Sequence, residues 1–449
     1  MSPSSRNIEA GERRWRAGTL VYTAGGLGVV FFWLLWGDFA FQLKERSVQP
    51  TLTRLLQQFH ASDMVAGTLI GSLPQLISVL FGPVIGYLSD RHRGKWGRRI
   101  PFLLGFTPLT VAAMVGLAYS PQIGRWVSGG GAGADRWVIA CFALFWTIFE
   151  FGSVTCNSLL IALVNDVVPP GLIGRFFGLF RIFSVAAGIG FMYFLMGKAA
   201  EHYVGIFLGI GAVYGVSFTA MCLKVQEPGY PPPEVNTGGP WGATKMYMRE
   251  CFAKPYYLWY FASVAVAQLA FQPINIFSLY FAGSVGVSDD RYGKLSAMQF
   301  ALSLTLSYPL GWLVDKFHPL RLVMASLIFH GVSTLAAFFL VRGPAGFGVA
   351  HVICGAMAGC WLTTWYALTP ALVPRAKFAQ YFSAMTICYA AAQFVGGIAF
   401  GHLFDVIHHQ YRYMYLLGCL FDFFAVGLTL VVYRYFKRYG GRTGYVAPE

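Results

Sequence analysis

The sequence predicts an all-α integral membrane protein with twelve transmembrane helices in two pseudo-symmetric six-helix bundles, and three observations support this. Of its 449 residues, 56% are hydrophobic and only 12% are charged, whereas a soluble domain carries about 25% charged residues. Uncharged stretches recur along the chain, each near the roughly 20 residues needed to cross a hydrocarbon core of about 30 Å. Short motifs from the first half return in the second half in the same order.

In chain order, residues 1–18 are polar and basic and lack a small-residue cleavage pattern, so they read as a retained cytoplasmic tail. Spans follow at 25–49, 64–88, 100–119, 137–165, 173–198 and 203–224, then at 255–282, 292–314, 320–341, 346–372, 378–403 and 412–434. An even number places both termini on one side. That side is expected to be cytoplasmic, because most of the 33 Lys and Arg then fall in the inner connections. Residues 226–254, with PGYPPPEV and NTGGPWG, are too rich in Pro and Gly to span. They read as a cytoplasmic linker between an N-terminal bundle, 19–225, and a C-terminal bundle, 255–436, which is followed by a short cytoplasmic tail, 437–449. Gly86 and Asp90 return as Gly311 and Asp315; Ser62, Asp63 and Gly67 return as Ser288, Asp289 and Gly293. Such echoes indicate a parallel duplication.

The net charge of +14 is explained by topology, so no nucleic-acid partner is needed. The eight cysteines form no CxxC or CxxH spacing, which argues against a disulfide framework or a zinc site. Asp405, His408 and His409 beside Tyr411 read as a polar outer loop, and no metal is expected. Neither HExxH nor GxSxG occurs, so an intramembrane enzyme finds no support.

Ionisable groups inside a span cost about 2.5–3.5 kcal/mol at mid-bilayer and usually face a cavity or a partner. Asp38, Gln42 and Glu45 lie at i, i+4 and i+7 and share one helix face. Trp33 and Trp36, a turn or less away, could stack on an apolar sugar face. The fourth span carries Thr147, Glu150, Ser153 and Asn157 as a one-sided stripe. In the fifth, Arg181 is expected to be neutralised by Glu150 if these two spans pack as antiparallel neighbours. Gln268, Gln272 and Asn275 share a face of the seventh span, and Trp361, Thr364 and Trp365 lie on the tenth. His330 and Asp422 fall outside this pattern and read as packing or lipid-interface residues.

Between the second and third spans, Gly86 to Arg99 reads GYLSDRHRGKWGRR, with five Lys/Arg in a tight turn. Gly86 would allow a close helix approach, and Asp90 could pair with Arg91, Arg98 or Arg99 beyond the turn at Gly97. This stretch resembles the loop signature of the major facilitator superfamily. Together with Gly82-Pro83 and Ile100-Pro101-Phe102, it is similar to the glycoside-pentoside-hexuronide cation symporters and the sucrose transporters. The resemblance implies two halves about a central axis, a solute site near the midplane lined by spans 1, 4, 7 and 10, and a cytoplasmic gate. The second copy, with Gly311 and Asp315, lacks the doubled arginine and implies a weaker latch.

Gly37-Asp38-Phe39-Ala40 resembles the first-helix segment of the melibiose permeases, which implies that Asp38 accepts hydrogen bonds from sugar hydroxyls; a structural aspartate is the alternative. An arginine in the position of Arg181 serves sugar binding in that family. The aspartates of sodium-coupled members fall here on Ser78, Gly82 and Cys156 or Asn157. Protons are therefore expected as the coupling ion in place of sodium, with Asp38, Glu45 or Glu150 as carrier, and no cofactor. The resulting expectation is a proton-coupled symporter of a sugar or glycoside, working by alternating access. It would act as a monomer, multi-pass in the cell membrane, or in the inner membrane of a Gram-negative bacterium. A proton-coupled exporter of drugs or metabolites on the same fold is the alternative, and a non-transporting membrane sensor is a remote one.

Overall fold

A computed structural model describes residues 14–131, 133–230, 250–374 and 377–448. The first residues of the tail, most of the linker and the last residue lie outside them. The described residues form twelve long helices. The first six are α1 Ala24–Gln58, α2 Asp63–Arg91, α3 Ile100–Val127, α4 Ala134–Val167, α5 Ile173–Phe194 and α6 Tyr203–Lys224. The second six are α7 Pro255–Ser284, α8 Asp289–Lys316, α9 Pro319–Leu340, α10 Pro344–Leu372, α11 Phe378–Val406 and α12 Tyr413–Arg438. Eleven are long and apolar enough to cross a membrane. The exception, α8, is 28 residues long but begins on Asp289, Asp290, Arg291 and Lys294, which dilute its apolar character.

Helix starts follow the sequence closely. Thr23, Ser62 and Ser288 each accept a hydrogen bond from a backbone N–H in the first turn, at Gly26, Val65 and Arg291. The repeated Ser-Asp motif of the two halves is thus the N-cap of α2 and of α8. Ahead of α1, the tail does not remain irregular: Trp15–Ala17 pairs antiparallel with Leu20–Tyr22, and the Tyr22 hydroxyl donates to the Val167 carbonyl. The first helix also runs well beyond residue 49. Its polar stretch from Lys44 to Arg54 resembles a loop by composition but continues the helix, because Lys44, Ser47 and Thr51 are buried against neighbouring helices.

Within the first half, α3 packs on α4 and α6, α2 on α4, and α1 on α5 and α6; within the second, α7 packs on α11 and α12, α10 on α8 and α9, and α9 on α12. Each half has its own apolar core near the termini, whereas a third core includes residues of both halves at the opposite end, from Val48 and Leu69 to Phe404 and Tyr415. At that far end α2 meets α11 and α5 meets α8. A stretch of α2, Gly67–Ser72, is wound as a π-helix. Its loosened carbonyls are taken up by other elements, with Trp146 Nε1 donating to Leu69 and Gln272 Nε2 to Gly71. Ser72 Oγ in turn donates to the Phe394 carbonyl across the interface at 2.5 Å.

Polar contacts complete this seal. The Asp405 carboxylate accepts from the backbone N–H groups of Asp63 and Met64, both at 2.9 Å. Asp63 accepts from His409 Nδ1 at 2.6 Å and from the Tyr411 hydroxyl at 2.9 Å, and Arg54 Nε donates to Asp289 at 2.7 Å. Asp63, Asp405 and His409 lie within 4.8 Å of one another. This stretch expected to be a plain outer loop therefore ties the halves together. A Cβ at Gly67 would collide with the Gly397 carbonyl oxygen. Gly67→Ala is accordingly expected to keep the far end from closing, read as a longer distance between spin labels placed on α2 and α11 at that end.

At the end carrying the termini the halves part. Tyr87, Leu88, Tyr308 and Trp312 are exposed, and Gly86 and Gly311 face open space. The close helix approach expected at Gly86 is not made here, because closure at the far end splays this one.

Candidate functional site

Between the halves, on the open side of the seal, lies a cavity of about 360 Å³. Residues of α1, α5, α7, α8, α9, α10 and α12 form its wall. Glu45, Arg46 and Gln49 of α1 face Asn275 of α7, Gln299 of α8 and His330 of α9, with Phe271, Phe300 and Tyr415 supplying apolar surface. Charged, amide and aromatic groups converging on one small space form a surface that can hold a small polar solute.

Of the residues singled out in sequence, Glu45 and Asn275 reach this wall. Asp38 does not: it is fully buried, its Oδ1 accepts from Gln42 Nε2 at 3.3 Å, and its Oδ2 has no partner among the described residues. Glu150 is buried as well, and its charged neighbours are Glu45 and Lys44 rather than Arg181. The expected Glu150–Arg181 pair fails because α4 packs on α3 and α2, while α5 packs on α1 and α8. Arg181 instead lies near Arg46. Asn157 is exposed and lies outside the cavity wall, to which α4 contributes nothing.

Lys44 is the residue that sequence reasoning missed. It is fully buried, and its ammonium donates to Glu45 Oε1 at 2.6 Å and to Ser153 Oγ, which also bonds Glu45. The rings of Phe41, Phe149 and Tyr214 surround it at 4.1, 4.8 and 5.1 Å from their centroids, close enough for cation–π attraction. The available signal is the Lys-Glu pair inside FQLKER, which falls at the outer end of the shorter helix that the sequence predicts.

The glutamine face of α7 is committed elsewhere. Gln272 Nε2 donates to the Gln393 carbonyl at 2.7 Å and Gln393 Nε2 to Gln268 at 3.5 Å, stitching α7 to α11. Trp361 and Trp365 stack at 5.5 Å, buried, with both indole N–H groups unpartnered among the described residues. Phe271 bridges them to the wall, 4.7 Å from Trp361 and 4.4 Å from the His330 ring.

The partners of the charged turn's Arg98, Arg99 and Asp90 lie within the first half. Arg99 bonds Asp90 at 2.5 Å, and Arg98 bonds Asp166 at 2.7 Å. The Glu227 carboxylate caps α3 by accepting from the N–H groups of Arg98, Arg99 and Ile100. Gly97 turns at φ +101 with Glu227 where a Cβ would sit, so glycine is required there. Tyr230 donates to Asp166 and Glu227; burial, then those two carboxylates, hold its hydroxyl far above the usual phenol range. Among the described residues Arg91 bonds the exposed Tyr87 hydroxyl. The side chain of Asp315 lies outside the described residues. Asp166, Glu227 and Tyr230 were not anticipated, since nothing in sequence ties them to the turn.

Two helical bundles sealed at one end, parted at the other and enclosing a polar cavity define a membrane transporter. The chain belongs to the MFS/sugar transport protein family, whose model matches residues 35–407. It is therefore a multi-pass membrane protein of a transporter family, not an enzyme. No curated protein matches it in sequence. Among solved structures it is similar to a bacterial homologue of the human lysosomal transporter Spinster, inward-facing and unoccupied, at 16% identity and a TM-score of 0.68, covering 94% of this chain and 98% of that one. It is also similar to a single-residue mutant of the nucleoside transporter NupG, at 11% identity and 0.71, covering 90% and 100%. A D-xylose-proton symporter aligns at 14% identity and 0.68, covering 89% and 97%. At these identities the likeness establishes the shared fold.

Proposed function

We propose that the protein imports a sugar or glycoside together with protons across the cell membrane, by alternating access and as a monomer. The observation that carries this reading is the cavity, which joins Glu45, Arg46, Gln49, Asn275 and Gln299 to aromatic surface. Its volume of about 360 Å³ falls near the lower end of the roughly 300–1,000 Å³ of small-molecule sites, which suits a mono- or disaccharide. The family's sugar-transport description supports the same solute class. With the termini in the cytoplasm, the present state is open to the cell interior and closed outside. Protons are preferred to sodium because Ser78, Gly82 and Cys156 stand where a sodium site would want carboxylates.

Asp38, buried behind the wall, is assigned to proton coupling, and Glu45 to solute binding, with Arg46 as its counterpart on the wall. The test is uptake of radiolabelled mono- and disaccharides into proteoliposomes under an inward proton gradient. One sugar should accumulate and be lost again with an uncoupler. Asp38→Asn should lower that accumulation by about 100-fold, the low end of what a positioned acid–base group contributes. Unimpaired uptake in Asp38→Asn would make Asp38 structural, and no uptake of any sugar by the folded wild type would reject the solute class.

A further inference from the structure

We propose that His330 and Asp422 form a second proton-carrying site, in which the carboxylate of α12 holds the imidazole of α9 so that its Nε2 serves the solute cavity. The inference rests on the proposed transport function and assigns a coupling group to the second half, where spans 7 and 10 supply no charge to the cavity. His330 is 1% exposed and Asp422 0%. His330 Nδ1 lies 2.6 Å from Asp422 Oδ2, and His330 belongs to the cavity wall. Because Nδ1 is taken by the carboxylate, Nε2 is the ring nitrogen left for the cavity.

A packing role explains this pair poorly. Apolar residues would fill the same volume without burying a carboxylate, and Asp422 Oδ1 has no partner among the described residues, which costs free energy that packing does not require. Ionisable groups held inside membrane helices mark proton and solute paths. The surroundings also keep the pair's charge decisive. Phe271 of α7 covers the ring, and the nearby titratable groups are the Cys354 thiol of α10 and the Cys419 thiol and Tyr415 phenol of α12. Glu45 and Arg46 face the pair from α1 across the cavity.

The step balances simply. A proton from water in the cleft adds to Nε2 and takes the pair from one negative charge to none; release returns it from the same nitrogen to water, and no other bond changes. The neutral ring, donating from Nδ1 to Asp422, offers Nε2 as an acceptor, whereas the protonated ring offers Nε2–H as a cationic donor. A solute oxygen that accepts from Nε2–H is therefore held in the protonated state and released with the proton.

Two measurements test this. Ring ¹⁵N spectra of histidine-labelled protein contain nine histidines, and the His330 resonance is identified by its loss in His330→Gln. It should show both ring protonation states as the pH is varied, and the balance between them should change in Asp422→Asn. A His330 signal that stays in one protonation state at every pH the folded protein tolerates overturns the inference, whatever the solute. If His330→Gln does not fold, His330→Asn or His330→Phe identifies the resonance by the same loss. In proteoliposomes, using the sugar that the wild type accumulates, His330→Gln should cut proton-driven accumulation by about 100-fold while sugar counterflow without a gradient persists. Equal loss of both would also overturn it. A wild type that carries no sugar would count against the transport reading alone and leave the spectra to decide.

Discussion

Lys44→Ala is expected to destabilise the protein by about 2 kcal/mol, near what a hydrogen bond to a charged group contributes, because the Glu45 side chain it pairs with is 35% exposed at the cavity. The ammonium is fully buried among three aromatic rings and holds Glu45 and Ser153, with Glu150 behind them. Removing it leaves two carboxylates near one another with no cation between them and a cavity where the side chain lay. Thermal unfolding of the detergent-solubilised protein should show a clear loss, and pairing Lys44→Ala with Glu45→Gln should recover part of it. An unchanged midpoint for Lys44→Ala would mean that the ammonium is not buried as described.

The second large effect concerns the seal. Asp405 accepts two backbone hydrogen bonds from the start of α2, in the opposite half, through one carboxylate. Bonds to a charged group contribute about 1.5–3 kcal/mol each when sheltered. The bond to Met64 is exposed and that to Asp63 only partly buried, so water replaces much of the loss, and Asp405→Ala should shift the balance between closed and open far ends by about 2 kcal/mol, roughly 30-fold. Spin labels on α2 and α11 should report a second, longer distance in Asp405→Ala. A single short distance would mean that the remaining contacts, among them those of Asp63 with His409 and Tyr411 and of Arg54 with Asp289, hold the seal without Asp405.

Span positions were legible because hydrophobic length is a property of contiguous sequence, and the Ser-Asp repeat marked two real helix caps. The cavity was legible only in part. Glu45 and Asn275 could be placed by helical spacing, but the same spacing put Gln268 and Gln272 on one face without showing that α11 occupies it. Pairing fails for a similar reason. Arg181 and Glu150 are on neighbouring spans in sequence, yet α1 and α8 flank α5, and only three-dimensional packing decides that. Lys44, His330 and Asp422 are buried ionisable groups, and spacing along one helix does not show the partners that other helices bring to them, such as Ser153 and Tyr214 around Lys44.

That length makes α1 a mechanical element. Its 35 residues extend about 52 Å at 1.5 Å per residue, so one rod reaches from the cavity, at Glu45, to the far rim, where Arg54 grips Asp289. The arm between them is about 13 Å, and a tilt of about 5° at its base swings its tip by about 1 Å. That displacement stretches a 2.7 Å ion pair to the edge of contact. Pro50, within the arm, cannot donate the backbone hydrogen bond to Arg46. A tilt at Glu45 is thereby felt, through one continuous helix, at the ion pair on the far rim.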